Sequence, residues 1–429
     1  ANMAELSNYQ GALNDIWRDG WPTLPVYRED GTFAVPQDNP RISTLFGDAA
    51  YWNPVANYKE VTTKSNVSRL LGDVYAEFQL AKGLTFKTNF GLDIANKRDY
   101  NYTTSKITTS TGYGKGGNGY TKKMSRLTEN ILSYMNEWGD HRFTATGVYS
   151  WQNYMYETLS ISGNGFANDE TGAWDMGQAN RETVEYGSDK YENSLISWTG
   201  RVTYAYKDRY LLTATARYDG SSRFGENNKW GFFPSIGLAW RASEEKFLAG
   251  NKVITNLKVR GSFGVTGNQE IGNYKSLAQL KVDNYIYNDT EIQGFYETIG
   301  NPDLKWERAN QFDIGIDLSL WNRIHVTADY YHRKTSDLLY NVPIPSTSGF
   351  SSMLSNVGSV LNKGWELSIT GNIIDLNDLK IDATVNLSRN TNKIKELYND
   401  VQSITLKSGL GLSSYLKVGE SLNSRYALL

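Results

Sequence analysis

Apolar and polar side chains alternate along most of this chain with a period of two, the spacing of a strand that shows its two faces to different surroundings. In Tyr210–Asp219 one face reads Tyr210, Leu212, Ala214, Ala216 and Tyr218, and the other reads Leu211, Thr213, Thr215, Arg217 and Asp219. Phe312–Leu320 sets Phe312, Ile314, Ile316, Leu318 and Leu320 against Asp313, Gly315, Asp317 and Ser319. Trp365–Ile373 and Leu379–Leu387 repeat the arrangement. Helical period is nearly absent. Alternation alone fits a soluble sandwich as well as a membrane barrel, because either buries one face and wets the other.

Strand length and aromatic placement separate the two. The runs reach about nine to eleven residues, the span of a tilted membrane strand, where soluble strands average about five or six. Tyr204 and Tyr206 end one run, Tyr210 opens the next, and Trp321 and Tyr330 bracket another, as in the aromatic girdles of a membrane boundary. Tight links at Ala81–Gly83, Trp138–His141, Lys207–Arg209, Trp321–Arg323 and Asp375–Asp378 alternate with long polar stretches. Those stretches are Ala95–Tyr120, Thr158–Asn193, Asp219–Gly231, Gly267–Arg308 and Thr335–Lys363; only Ser243–Asn256 breaks the short rule. The pattern predicts an all-β, antiparallel transmembrane β-barrel with short periplasmic turns and long extracellular loops, and about twelve long strands between Arg69 and Arg389.

Residues 1–68 lack sustained alternation and carry Trp17, Trp21, Pro22, Pro25, Pro36, Pro40 and Pro54. They read as an extended loop region with a short helix near Ala4–Asn14, and residues 69–429 as strands and their loops. No leader pattern opens the chain at Ala1, and no clear final strand precedes Leu429. Open sheet edges in lipid leave backbone groups unsatisfied, so the expectation is a section of a larger barrel, without a plug.

Composition narrows the classes further. Across 429 residues, Lys and Arg total 44 against 46 for Asp and Glu, a net charge of -2 that argues against nucleic acid as partner. Cysteine is absent, which excludes disulfides, thiolate metal sites and cysteine nucleophiles. No apolar run is long enough for a helical membrane span. The 13% aromatic share with 39 Gly suits a barrel whose hydrophilic average hides a lipid-facing half.

At five segments the chain resembles a known family. YDGSSRFGENNKWGFFPSIGLAW (Tyr218–Trp240), LKVRGSFGVTGNQEIGNY (Leu257–Tyr274) and NPDLKWERANQFDIGI (Asn301–Ile316) resemble the SusC/RagA-type TonB-dependent outer-membrane transporters of Bacteroidota. DYYHRKTSDLLYNVPIP (Asp329–Pro345) and NVGSVLNKGWELSI (Asn356–Ile369) continue the order, and the resemblance runs from about Leu45 to Leu429. It implies a cell outer-membrane location and a barrel of about 22 strands, of which this chain holds a middle-to-late portion. It also implies TonB-dependent import of an oligosaccharide or peptide. The implied partners are a SusD-like surface lipoprotein, the TonB–ExbB–ExbD complex acting through a plug that this chain lacks, and outer-membrane lipid. Two alternatives stand beside it: a siderophore or cobalamin receptor, and a soluble β-rich glycan-binding adhesin.

Candidate chemistry is sparse, and no cofactor is expected. His325 and His332 are seven apart, hence on opposite strand faces, and His141 lies in a turn, so no histidine metal site is expected. Glycines 112, 114 and 117 match GxGxxG, yet no helix follows and the segment reads as a mobile glycine-rich loop. The carboxylate pairs Glu244–Glu245 and Asp169–Glu170 sit on exposed connections, and no catalytic constellation emerges. Arg217, Asp219, Lys258, Arg260, Asp313, Asp317, Asp329 and Lys380 occupy polar strand faces, where mutual pairing across strands is the first expectation and contact with plug or solute the second. For substrate contact the expected residues are Trp174, Asp175, Asn180, Tyr296 and Trp306, with Tyr186 and Trp230 as further loop aromatics. Flat rings stack on sugar faces while amides and carboxylates bond hydroxyls.

Overall fold

The computed structural model describes residues 2–7, 25–34, 38, 53–107, 113–287, 290–376, 378–407, 413–422 and 424–426, with backbone alone for 2–7, 54, 281–298, 400, 405–407, 413–414 and 425–426. The sheet opens with β1 (Asn2–Ser7), β2 (Val61–Ala81), β3 (Leu84–Thr103), β4 (Gly114–Trp138), β5 (His141–Phe166) and β6 (Glu185–Tyr206). It continues with β7 (Tyr210–Ser221), β8 (Trp230–Arg241) and β9 (Ile254–Asn268). A hairpin of β10 (Gln279–Tyr287) and β11 (Thr290–Thr298) precedes β12 (Glu307–Leu320) and β13 (Ile324–Ser336), and a second hairpin of β14 (Leu339–Pro343) and β15 (Ser352–Asn356) precedes β16 (Ser359–Asp375) and β17 (Lys380–Glu396). Hydrogen-bonded neighbours follow chain order, β1 through β9, then β12, β13, β16 and β17, so twelve long strands and the short β1 form one sheet. Each skipped pair closes a small sheet of its own inside a long connection.

Several boundaries differ from the sequence expectation. β2 opens at Val61 rather than Arg69, directly after a helix, α1 (Pro54–Glu60), that Asn53 caps by accepting the Ala56 N–H at 3.1 Å. Asn2–Ser7 is a strand paired with Lys64–Arg69, where a helix over Ala4–Asn14 was expected; residues 8–14 lie outside the described residues. The expected loops at Ala95–Tyr120 and Thr158–Asn193 are strand over half or more of their length. β4 and β5 run for 25 and 26 residues, or roughly 85 Å against an apolar bilayer core of about 30 Å. Strand that rises clear of lipid meets water or a folded loop on its faces, and so shows no lipid-facing stripe in the sequence.

The backbone gathers into two compact units. One comprises Ala1–Val74, Phe90–Leu127 and Asn153–Glu192, and the other Tyr75–Asn89, Thr128–Gln152 and Asn193–Leu429. In the second unit the register aligns the stripes into rows. Ile236 pairs with Phe263 and Phe263 with Phe312; Leu238 aligns with Gly261, Ile314, Tyr330 and Trp365; Trp240 aligns with Val259, Ile316, Ala328, Leu367 and Leu387. Phe312, Ile314 and Ile316 are 47%, 46% and 43% exposed, so no second layer of the described residues covers them. Over Phe312–Leu320 the band is roughly 27 Å long along the strand, in the length class of a tilted membrane strand of about nine to eleven residues. Trp138, Tyr206, Tyr210, Trp240 and Trp321 cluster at the short-turn end, where the Lys207–Asp208 and Trp321–Asn322 turns place both central residues in the left-handed region.

An outward charge should therefore be costly and an inward one tolerated. Ile314→Lys is expected to destabilise the refolded protein in bilayers by about 2–4 kcal/mol, while Thr327→Lys on the opposite face costs less than half as much. Denaturant titration in lipid vesicles checks both.

Candidate functional site

On the opposite face of the second unit the charges pair with one another across strands. Arg260 on β9 reaches Asp317 on β12 at 3.3 Å and Asp329 on β13 at 2.7 Å, and Lys258 stands 4.0 Å from Asp317. Gly315 leaves the path open, since a Cβ there would lie 2.7 Å from Arg260 Cζ. Asp313 accepts from Gln311 Nε2 at 2.8 Å and Ser262 Oγ at 3.2 Å. Arg217 holds Asp219 at 2.7 Å and donates to Ser197 Oγ at 3.0 Å, and Lys380 sits 3.4 Å from Asp375 in the turn. Between these ladders lies a shallow cleft of about 280 Å³ lined by Thr213, Gly237, Lys258, Arg260, Ser262 and Asp313. This face is polar, and Arg217, Lys258 and Arg260 each meet a carboxylate on it while uncharged donors hold Asp313.

One face of the first unit carries a tyrosine group absent from the sequence expectation. Tyr156 and Tyr191 stack at 4.8 Å with 14° between planes, Tyr154 lies 6.3 Å from Tyr191, and Lys123 Nζ stands 6.0 Å over the Tyr156 ring. Thr121 and Thr158 hydroxyls meet at 3.4 Å, which puts Lys123 on the face of Tyr154 and Tyr156. The alternate residues Asn118, Tyr120, Leu159 and Ile161 face the other way, beside Asn96 and Arg98, in line with Phe90, Leu92 and Ile94 on β3. The signal was present as two tyrosines two positions apart on β5, Tyr154 and Tyr156, both on its polar face.

The expected substrate residues lie elsewhere. The loop after Phe166 folds onto the outward side of β3 and β4 and buries Tyr100, Tyr102, Phe166, Ala173 and Ala179 together. Trp174 stacks on Tyr100 at 4.5 Å with Arg98 4.9 Å over its ring, leaving it 55% exposed on that outer side. Asp175 accepts the Gly177 N–H at 3.1 Å and Asn180 the Glu182 N–H at 3.1 Å, so both carry turns of the loop. Trp306 is 6% exposed, packs against Phe224 and Phe233, and donates Nε1–H to the Lys229 carbonyl at 3.0 Å. A ring so enclosed offers no face to a ligand. Tyr296 pairs with Lys281 in the β10–β11 hairpin, and its side chain lies outside the described residues.

The glycine-rich segment is also not a mobile loop. Gly114 opens β4, and a Cβ on Gly116 would lie 2.6 Å from the Tyr102 ring and 2.8 Å from Ala173 Cβ, so its bareness lets the strand approach the cluster; Gly112 lies outside the described residues. Beside it, burial works against the charge of Asp169, yet the Ser105 hydroxyl and N–H and the Tyr102 hydroxyl bond it at 2.7, 3.0 and 2.8 Å and hold its carboxyl below the usual range. Burial and the same carboxylate push the Tyr102 phenol up. No group of three metal-ligating side chains occurs among the described residues.

The family model of the TonB dependent receptor-like β-barrel matches residues 9–426. The chain belongs to that family. Among curated relatives, TonB-dependent receptor P39 of Formosa agariphila is 38% identical over 93% of this chain and 38% of its own length. TonB-dependent receptor P26 of the same organism is 34% identical over 94% and 41%. TonB-dependent receptor SusC of Bacteroides thetaiotaomicron is 32% identical over 88% and 39%. A solved structure of the RagAB peptide transporter superposes with a TM-score of 0.78 at 29% identity, covering 87% of this chain and 41% of that one. The chain thus spans about two fifths of the length of the curated relatives it matches. As a TonB-dependent receptor barrel it resides in the outer membrane, in a family of receptors and transporters rather than enzymes. The exposed stripe is accordingly the lipid face, and the charge-paired face looks inward.

Two measurements test this reading of the receptor's loops. Because the native Asp169 pKa lies below its unfolded value of about 3.9, its bonds add stability above that value and lose it as pH falls through the native pKa. Amide exchange over 100–107 and 166–184 should rise at that low pH, and Asp169→Asn should show the same rise at neutral pH. Trp306→Ala should cost about 3–5 kcal/mol, read by thermal unfolding of the detergent-solubilised protein.

Proposed function

We propose that this chain is wall and loop material of an outer-membrane importer for a nutrient oligosaccharide or peptide, working with a SusD-like lipoprotein and driven through TonB. The supporting observation is the two-faced sheet, apolar outside and polar inside, with Arg217, Lys258 and Arg260 already held by carboxylates. Charges held by partners bind passing solute more weakly than bare ones, so solute against them can leave. Grip on the ligand then falls to the inward tyrosines Tyr154, Tyr156 and Tyr191 with Lys123, whose flat rings suit a sugar face or a peptide side chain. Of the loop residues expected from sequence, Trp174 retains an exposed ring and serves at most the approach from outside.

Uptake of labelled oligosaccharide and peptide pools by cells with and without the gene tests the function. Loss of uptake of one pool, with the remainder abolished by a protonophore, is the expected result; unchanged uptake of both sinks the proposal. Tyr191→Ala should raise the half-saturation concentration about two- to tenfold at unchanged surface abundance.

A further inference from the structure

At the periplasmic end of the second unit, residues 207–209 join β6 to β7 and residues 321–323 join β12 to β13, yet β8 reaches β9 through the far longer 242–253. The extra length is folded rather than slack. The Leu248 and Ala249 N–H groups donate to the Glu245 carbonyl at 2.9 and 2.7 Å, and Gly250 turns the chain with φ +77°. Asn251 Oδ1 then accepts the Val253 and Ile254 N–H groups at 2.8 and 3.0 Å. A lobe bonded in this way holds its side chains in fixed places.

Polar bonds bring that lobe to the lipid side of the wall. Glu245 accepts from the Tyr210 hydroxyl at 2.5 Å and from Trp240 Nε1 at 3.3 Å, and it pairs with Arg209 at 3.5 Å. Tyr210 and Trp240 end the outward stripes of β7 and β8 and lie opposite each other in register, so the carboxylate they share sits at the periplasmic edge of the lipid face. Phe247 stands beside Trp240 with ring centroids 6.4 Å apart, and it is 70% exposed against 38% for Trp240. A phenyl ring has no polar atom to favour water, and next to the stripe the medium it meets is the acyl boundary. The charges of the lobe are uneven. Arg241 holds Glu244 at 2.9 Å and three donors hold Glu245, whereas the exposed Lys246 and Lys252 form no ion pair among the described residues. Free ammonium groups on the same lobe as an apolar ring match the phosphate and acyl chains of an anionic phospholipid.

We propose that the 242–253 lobe is a membrane anchor: Phe247 enters the acyl boundary of the periplasmic leaflet, and Lys246 and Lys252 hold an anionic phospholipid headgroup there. The anchor fixes the depth of β8 and β9 in the bilayer. A nutrient moving along the inward face does not reach it, so the site is independent of the import reading.

Native mass spectrometry of the intact outer-membrane protein in detergent tests the anchor, with phosphatidylglycerol, phosphatidylcholine of the same acyl chains and inorganic phosphate as probes. Retention of phosphatidylglycerol under conditions that strip phosphatidylcholine is expected. The double variant Lys246→Gln, Lys252→Gln should lower that retention about twentyfold, and Lys246→Arg with Lys252→Arg should keep it. Phe247→Ser should lower retention of both lipids about tenfold. Lys275→Gln, in an extracellular connection, should leave both unchanged. Heat-modifiable gel mobility confirms that each variant is folded. Equal retention of the two lipids, displacement of phosphatidylglycerol by millimolar inorganic phosphate, or full retention by the folded glutamine pair or by folded Phe247→Ser would each overturn the assignment.

Discussion

Every backbone N–H and C=O that enters lipid must find a partner within the protein, because hydrocarbon offers none, and an unmet group costs several kcal/mol. The antiparallel ladder meets that demand strand by strand, and the rest of the structure follows from it. Strands bound on both sides have only their two faces left to differ, hence the strict period of two over Tyr210–Asp219 and Phe312–Leu320. The rows Leu238–Gly261–Ile314–Tyr330–Trp365 and Trp240–Val259–Ile316–Ala328–Leu367 are what register does with such strands once aligned. A slip of one residue in any of them would turn isoleucines inward and aspartates into lipid. The side-chain pattern and the hydrogen-bond register thus enforce each other.

The same register explains the inward charges. Asp317 lies opposite Lys258 on one side of β12, and Gly315 lies between Arg260 and Asp329, so one guanidinium can span three strands. These groups are about one third exposed, and solvent screens them, so their contribution to stability is modest. In the proposed import, charges held by partners grip a counter-charged solute less than bare ones, and uncharged rings such as Tyr156 and Tyr191 supply the short-ranged contact.

The sequence carried the fold wherever a strand crosses lipid, because there the two faces differ sharply in solvent. The short turns, the twelve long strands and the outward stripe were all legible for that reason. Legibility failed above the membrane. Val61–Ser68 and Gly114–Tyr120 are strand, yet both faces meet water or a loop, and alternation has nothing to report. The site suffered more. Trp306 and Trp174 look alike in sequence, as loop tryptophans near amides and acids, but one is enclosed by Phe224 and Phe233 and the other stacks on Tyr100. Only the tertiary path of the loop distinguishes a platform from a core, and no local spacing encodes that path. Tyr154 and Tyr156 share the polar face of β5 by parity, a signal that the sequence expectation did not take up.

The segments that carry the family resemblance are those that lock the long connections of the second unit together. Phe224 of the DGSSRFG stretch, Val265 and Ile271 around TGNQ, and Leu304 and Trp306 of NPDLKWE bury one another in a single cluster. Polar bonds seal its rim: Arg223 to the Gln269 carbonyl at 3.2 Å, Asn228 to the Asp303 carbonyl at 3.2 Å, and Asn301 to the Leu354 carbonyl at 2.9 Å. Gly225 has no Cβ because one would overlap the backbone of Pro302. Three connections that would otherwise move separately therefore share one core, and a core of this kind resists change in any one member unless the others change too. Loop surface outside the cluster is free of that constraint. Sequence can vary there while the lock, and with it the connections it ties together, stays the same.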